Sequence, residues 1–164
     1  MEQNYLYTLA FIKRDDEILM LNRRKAPWFG MWNGVGGKRD PGESPADCIR
    51  REIQEETGIA VGSERIRFRG TLSWNADFVA ASTGLYLYFV ELDSTYAFPA
   101  PVGTSEGILD WKKIDWINNP RNLGVAYNIR FFLTDLIGDD QPKHYHCVFE
   151  GDRLVRVESM ALND

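Results

Sequence analysis

A chain of 164 residues is long enough for one domain with one core, and its 44% hydrophobic and 13% aromatic content exclude a disordered protein. A net charge of −5 excludes broad nonspecific binding to nucleic acid, though not binding of a phosphate-bearing small molecule beside a bound cation. No apolar run approaches a membrane span, the first residues lack the basic-then-apolar pattern of a signal peptide, and Cys48 and Cys147 make no disulfide framework. The expectations are a cytoplasmic location, no membrane association and two buried thiols.

Along the chain, residues 5–12 and 17–21 read as strands joined by the polar turn Lys13-Arg14-Asp15-Asp16. Residues 22–31 form a loop that is first basic (Arg23, Arg24, Lys25) and then aromatic (Trp28, Phe29), and Trp32 and Asn33 lead into Gly34, Gly36 and Gly37. The basic cluster is either a solubilising loop or a phosphate clamp, because arginine matches phosphate oxygens well; Lys38 is a second candidate for that role. Residues 65–73 and 84–92 read as strands, residues 75–77 as a turn, and residues 107–114 as another short strand. Apolar residues at Val125, Ile129, Phe132, Leu133, Leu136 and Ile137 predict a core-facing helix over 125–137, ended by Gly138. Residues 145–149 and 154–157 predict a hairpin around Gly151-Asp152. Strands with one early and one late helix make an α/β (α+β) sandwich on a mixed sheet. No Pro/Gly linker, repeat or composition shift divides the chain, so residues 1–164 are expected to form one domain.

The most informative stretch is residues 37–59. Ser44 is a good N-cap, Pro45 suits the first helical position, Asp47 stands where a capping box has its acid, and Gly58 is a natural stop. Ala46, Ile49, Ile53 and Thr57 form the expected buried stripe. Beside it, Glu52, Glu55 and Glu56 stand at i, i+3 and i+4, so three mutually repelling carboxylates share one helix surface. A solvated acidic face is the plain alternative. Glu56, however, projects within roughly 20° of Ile49, at the border of the buried stripe, where an acid without a partner is costly. Clustered hard oxygen ligands suit Mg²⁺, with Mn²⁺ as a substitute. Glu106, before the strand at 107–114, is a carboxylate that could complete a cage one helix cannot close. His144 and His146 share a strand face, but a zinc site would need further ligands that the sequence does not offer. Trp28, Phe29 and Trp32 are either core aromatics or a stacking wall for a base, and Asn33 either serves a turn or offers a donor and an acceptor to a base edge.

From Gly37, five residues lead to Glu43, and seven more lead to Arg51-Glu52-Ile53-Gln54-Glu55-Glu56-Thr57-Gly58-Ile59. This resembles the Nudix box in every defined position over 23 residues. The resemblance implies an α/β/α sandwich enzyme that cleaves a nucleoside diphosphate linked to another moiety with a divalent metal. It further implies that Glu52, Glu55 and Glu56 with the Gly37 carbonyl are metal ligands and that Glu43 and Arg51 pair to hold the loop; Glu52 is our first choice as general base, a role that sequence does not separate from that of a ligand. Leu6-Tyr7-Thr8-Leu9, Trp32-Asn33-Gly34 and Gly36-Gly37-Lys38 resemble the MutT-type hydrolases of oxidised purine nucleoside triphosphates such as 8-oxo-dGTP. That likeness implies that Glu106 binds metal, that Thr8, Asn33 and Trp74 line the base pocket, and that Arg23 lies near the phosphates. It departs at Arg121-Asn122, where the subfamily has an acidic pair that reads the base. The expected partner is a small nucleotide, with no stable nucleic-acid binding and a monomer or homodimer as the assembly. The alternatives are hydrolysis of another nucleoside diphosphate derivative, ADP-ribose or a dinucleoside polyphosphate, or a catalytically silent nucleotide-binding module.

Overall fold

The computed structural model of the chain describes residues 4–75 and 83–162. The turn expected at residues 75–77 falls, past Asn75, outside the described residues. The strands are β1 (Tyr7–Arg14), β2 (Glu17–Arg23), β3 (Trp32–Asn33), β4 (Val35–Lys38), β5 (Ile66–Trp74), β6 (Gly84–Leu92), β7 (Val102–Gly103), β8 (Gly107–Lys113), β9 (Lys143–Glu150) and β10 (Arg153–Ala161). The helices are α1 (Pro45–Thr57), α2 (Ile114–Asn118) and α3 (Leu133–Gly138).

All the strands join one mixed sheet in the order β10-β9-β5-β6-β1-β2-β8-β7, with β3 beside β2 and β4 beside β1. The sheet forks at β1. One edge of β1 pairs in parallel with β6 from Tyr7↔Leu85 to Arg14↔Leu92. Along the other edge the first half pairs with β4, from Tyr7↔Lys38 to Ala10↔Val35, and the second half pairs with β2, from Ile12↔Leu19 to Arg14↔Glu17. The fork places the two glycines of β4 directly against Thr8 and Leu9 and sends the chain from there into α1.

Alternation along the strands builds a core on each face. Ala10, Ile12, Leu19, Leu21, Tyr88 and Val90 pack with Ile49 and Ile53 of α1. Phe11, Met20, Leu72, Leu87 and Phe89 pack on the other face with Ile117, Ile129, Phe132, Leu133 and Leu136. With α1 on one face and α2 and α3 on the other, the molecule is the expected α/β/α sandwich. Both cysteines are buried and free.

The late helix is shorter than its periodicity predicts. Trp32 donates its N–H to the Gly124 carbonyl at 2.8 Å, and Ala126 donates to the Trp32 carbonyl at 3.0 Å, so residues 124–126 are tied to β3. A 3-10 turn at Ile129–Phe131 follows, and only then α3. Gly138 is the last residue of α3 and Asp139 caps it. The apolar residues that suggested a long helix reach the same core from three different backbone conformations. Helix α2 is five residues long with only Ile117 buried, too short to leave a periodic signal.

Candidate active site

Helix α1 begins as its sequence dictates. Ser44 is extended at φ −70 and ψ 154, its Oγ accepts the Asp47 N–H at 3.1 Å, and its hydroxyl donates to Asp47 Oδ2 at 2.7 Å. Gly58 ends the helix in the left-handed region at φ 76, where a side chain is disfavoured. The buried residues are Cys48, Ile49 and Ile53, while Ala46 is exposed, so the stripe is rotated toward Cys48 from the one expected.

Arg51 organises the acids around the start of this helix. Its Nε and Nη2 donate to Glu43 Oε1 and Oε2 at 2.8 and 2.9 Å, a bidentate pair. Nη2 also donates to the Lys38 carbonyl at 3.1 Å, and Nη1 reaches Glu52 Oε1 at 2.8 Å and Glu55 Oε2 at 3.1 Å. The hydrogen bonds from Arg51 pull the Glu43 carboxyl down to about 2. Glu43 also accepts the Asp40 N–H at 2.9 Å, and Arg39 donates twice to the Glu43 carbonyl, at 3.0 and 2.7 Å. Arg39 carries no sequence signal as a loop brace, because it sits within an ordinary charged run.

Glu56 is different. Its Oε2 is buried without a hydrogen-bond partner. Burial first, then the neighbouring Glu52 and Glu106, push its carboxyl up to about 8, opposed by the Gly36 backbone and by Arg23. Glu52 is also raised, mainly by burial, with Arg51 opposing. Glu106 arrives from the other end of the chain. The β2–β8 register ends at Arg23↔Gly107, and the Glu106 carbonyl accepts the Arg24 N–H at 3.0 Å. Lys25 Nζ stands 3.4 Å from Glu106 Oε1. Gly37 backs directly onto Glu52, so that a methyl group at this position would overlap the Glu52 carboxylate.

A buried orphan carboxylate oxygen, two neighbouring acids and a glycine cradle form an all-oxygen donor set that fits a hard divalent cation. Among the described residues no three acidic, histidine or cysteine side chains already converge as a cage. These acids are instead held in ion pairs, Glu43, Glu52 and Glu55 with Arg51, and Glu106 with Lys25.

The residues expected around the base lie on both faces of the sheet. Thr8 is 2% exposed and shares a strand face with Ala10 and Ile12, beneath α1. Its hydroxyl meets Gly37 and Cys48, because the period of two along β1 turns it to the box side. Asn33 Oδ1 accepts the Gly34 N–H at 2.8 Å. Lys38 has an exposed side chain, and its carbonyl is held by Arg51. Arg23 Nε donates to the Pro27 carbonyl at 2.7 Å. Trp28, Trp32 and Trp74 all pack against the core beneath α2 and α3. Trp28 meets Tyr127 edge-on at 5.1 Å and Trp32 meets Trp116 edge-on at 6.5 Å. The Lys112 ammonium caps the Trp32 ring at 4.3 Å, so that face is already covered. Asn122 is committed locally: Nδ2 donates to the Trp116 carbonyl at 2.9 Å, and Oδ1 accepts the Gly124 N–H at 3.0 Å. His144 meets the Thr71 and Ser73 hydroxyls at 2.7 and 3.0 Å, and His146 Nδ1 meets Ser73 at 2.8 Å.

Residues 6–127 match the model of the NUDIX domain. The chain is 27% identical over 117 residues to the oxidized purine nucleoside triphosphate hydrolase of Mus musculus, covering 71% of each protein. It is 27% identical over 130 residues to an uncharacterized Nudix hydrolase of Bacillus subtilis, covering 77% of each. A MutT protein from Bacillus halodurans has the same fold, with a TM-score of 0.70 at 24% identity over 93% of this chain and 95% of that one. With the family match spanning most of the chain and the box acids assembled on α1, this protein belongs to the NUDIX domain family and is a hydrolase of that family.

Proposed function

We propose that the protein hydrolyses nucleoside triphosphates, with a purine preferred and oxidised purines such as 8-oxo-dGTP among the candidates, to a monophosphate and pyrophosphate. The observation that carries this reading is Glu56: a carboxylate with a buried orphan oxygen, beside Glu52 of its own helix and Glu106 of a distant loop. Such a group asks for a cation. The residues that would hold Mg²⁺ or Mn²⁺ are Glu52, Glu55, Glu56, Glu106 and the Gly37 carbonyl. A divalent ion bound there supplies charge neutralisation at phosphate oxygens and an acidified water.

The protein's own groups have separate tasks. Arg51 occupies Glu52 Oε1, which leaves Oε2 to take a proton from an attacking water. Arg23, near enough to Glu56 to oppose its raised pKa, and Lys25, beside Glu106, give the acid cluster a basic border that suits a polyphosphate. Glu43 and Arg51 fix the loop that presents Gly37. The relationship to the mouse hydrolase favours triphosphates over other nucleoside diphosphate derivatives.

The test is incubation of the purified protein with Mg²⁺ and a panel of nucleoside triphosphates, ADP-ribose and dinucleoside polyphosphates, with phosphorus NMR of the products. A monophosphate with pyrophosphate is expected from the triphosphates. Release of orthophosphate, or turnover of ADP-ribose or dinucleoside polyphosphates alone, overturns the reading, and no turnover of any member supports a silent binding module.

A further inference from the structure

Gly37 lies in register opposite Thr8 across the β1–β4 pair, and the Thr8 hydroxyl stands 3.4 Å from the Gly37 carbonyl oxygen. The same hydroxyl is 3.3 Å from Cys48 Sγ, which lies 3.9 Å from the Gly37 carbonyl. On its other side, Cys48 Sγ accepts from Arg51 Nη2 at 3.7 Å. Thr8 and Cys48 are both buried, with 2% and 0% of their surface exposed.

The proton inventory gives this cluster a direction. Arginine only donates, and a carbonyl only accepts. Between them lie one S–H and one O–H. The Arg51 hydrogens are already directed to Glu43, Lys38, Glu52 and Glu55, so the sulfur receives at most a shared contact, and the order that serves the carbonyl runs from the thiol hydrogen to Thr8 Oγ and from the threonine hydrogen to Gly37. Cys48, Thr8 and the Gly37 carbonyl form a short buried chain that ends on the carbonyl. In a buried setting, such chains polarise successive members and hold each in place. Gly37 needs such an anchor. It has no side chain of its own, the Glu52 carboxylate presses on its open side, and Glu56 accepts from the neighbouring Gly36 backbone.

We infer that Thr8 is a positioning residue for the metal site: with Cys48 beside it, its hydroxyl aims the Gly37 carbonyl for a divalent cation, rather than contacting the base. This rests on the proposed metal-dependent reading of the box.

The experiment is titration of the nucleotide-free protein with Mn²⁺, followed by electron paramagnetic resonance of the free ion, alongside thermal melts. Thr8→Val keeps the shape and removes the hydroxyl. Its Mn²⁺ affinity falls about threefold to tenfold, as for one lost hydrogen bond. Thr8→Ser retains near wild-type affinity, and that rescue separates the hydroxyl's role from simple packing. Cys48→Ala leaves Thr8 free to donate to Gly37 and falls less than Thr8→Val. With nucleotide present, kcat/KM of Thr8→Val falls by the same factor for dGTP, dATP and dCTP alike. An unchanged Mn²⁺ affinity in folded Thr8→Val, or a loss confined to one base, overturns the inference while leaving the metal-dependent reading in place. Failure of the wild-type protein itself to bind Mn²⁺ overturns both. Should Thr8→Val not fold, Thr8→Ala and Thr8→Ser are compared by the same titration, and equal affinities in those two overturn the inference.

Discussion

Arg51 and Glu43 face each other across the start of α1 in a two-bond pair, Nε to Oε1 at 2.8 Å and Nη2 to Oε2 at 2.9 Å. Only 14% of the Glu43 side chain and 28% of the Arg51 side chain are exposed. The pair closes the loop between β4 and α1, and the remaining Arg51 hydrogens reach Glu52, Glu55 and the Lys38 carbonyl. One guanidinium therefore sets both the backbone of the loop and the resting positions of two box acids.

Glu43→Gln leaves Arg51 without its bidentate acid. Stability should fall by about 1.5–3 kcal/mol, the range for hydrogen bonds to charged groups, measured by urea unfolding near neutral pH. The wild-type Glu43 carboxyl titrates near 2 in the folded state, well below its ordinary 4.5. Its contribution is thus present above about 4.5 and lost as pH falls toward 2, so wild type and Glu43→Gln should converge in acid. Unchanged stability with weakened Mn²⁺ binding would instead make Glu43 a ligand.

Glu56 gives the opposite pH dependence. Its ordinary value is 4.5 and burial, with Glu52 and Glu106 nearby, lifts it to about 8. The folded protein holds a proton that the unfolded chain releases between those values. The contribution is full below about 4.5 and lost as pH rises through about 8. Without metal, wild-type stability should decline across this window. Glu56→Gln should reduce that slope, with Glu52 supplying the remainder, and be more stable than wild type at pH 8 by on the order of 2–4 kcal/mol. Mn²⁺ should restore wild type at pH 8 and leave Glu56→Gln unmoved. Equal pH slopes in the two proteins would show that Glu56 is not the strained acid.

These two residues also show what was legible in the sequence. Helix α1 could be read to its caps, because Ser44, Pro45 and Gly58 act through local backbone chemistry. The exposed-side spacing of Glu52, Glu55 and Glu56 and the border position of Glu56 follow from helical geometry alone. The paths of Thr8, Asn122 and Lys112 do not. Thr8 is turned to the box face and meets Gly37 and Cys48, and Lys112 covers Trp32, each through a partner far along the chain; Asn122 is consumed within its own loop by Trp116 and Gly124, in a turn that no residue pattern marks. The helix expected at 125–137 failed through a distant partner as well. Its periodicity recorded burial correctly, while the pairing of residues 124–126 with Trp32 took the backbone that a helix would have used.

Gly37→Ala tests the cradle. The added methyl group would overlap the Glu52 carboxylate, so either that acid or the β4 backbone must shift. A displacement of this size beside reacting groups should lower kcat/KM by about 10²-fold, with a smaller relative effect on the melting temperature. Steady-state kinetics and melts on one preparation check this, and wild-type turnover in Gly37→Ala would show that Glu52 has room to spare.

The last prediction concerns the base. Discrimination between close analogues needs a donor or acceptor aimed at the atom that differs, and sites built that way reject the wrong partner by about 10⁴–10⁵. Arg121 has an exposed side chain, and both ends of Asn122 are committed to its own loop. Neither supplies the paired acceptors that an oxidised purine would offer its protons to. We therefore expect kcat/KM for 8-oxo-dGTP and dGTP to differ by less than about 100-fold, with dATP in the same range and dCTP lowest. Asn122→Ala should loosen the turn at Gly124 and raise KM for every nucleotide together, since its bonds hold backbone and not base. Arg121→Ala, which disturbs no hydrogen bond of its side chain among the described residues, should leave stability unchanged. The check is kcat/KM for 8-oxo-dGTP, dGTP, dATP and dCTP at one Mg²⁺ concentration. A preference for 8-oxo-dGTP of several orders of magnitude, lost in Asn122→Ala, would mean that Asn122 leaves Trp116 and Gly124 when nucleotide binds and reads the base directly.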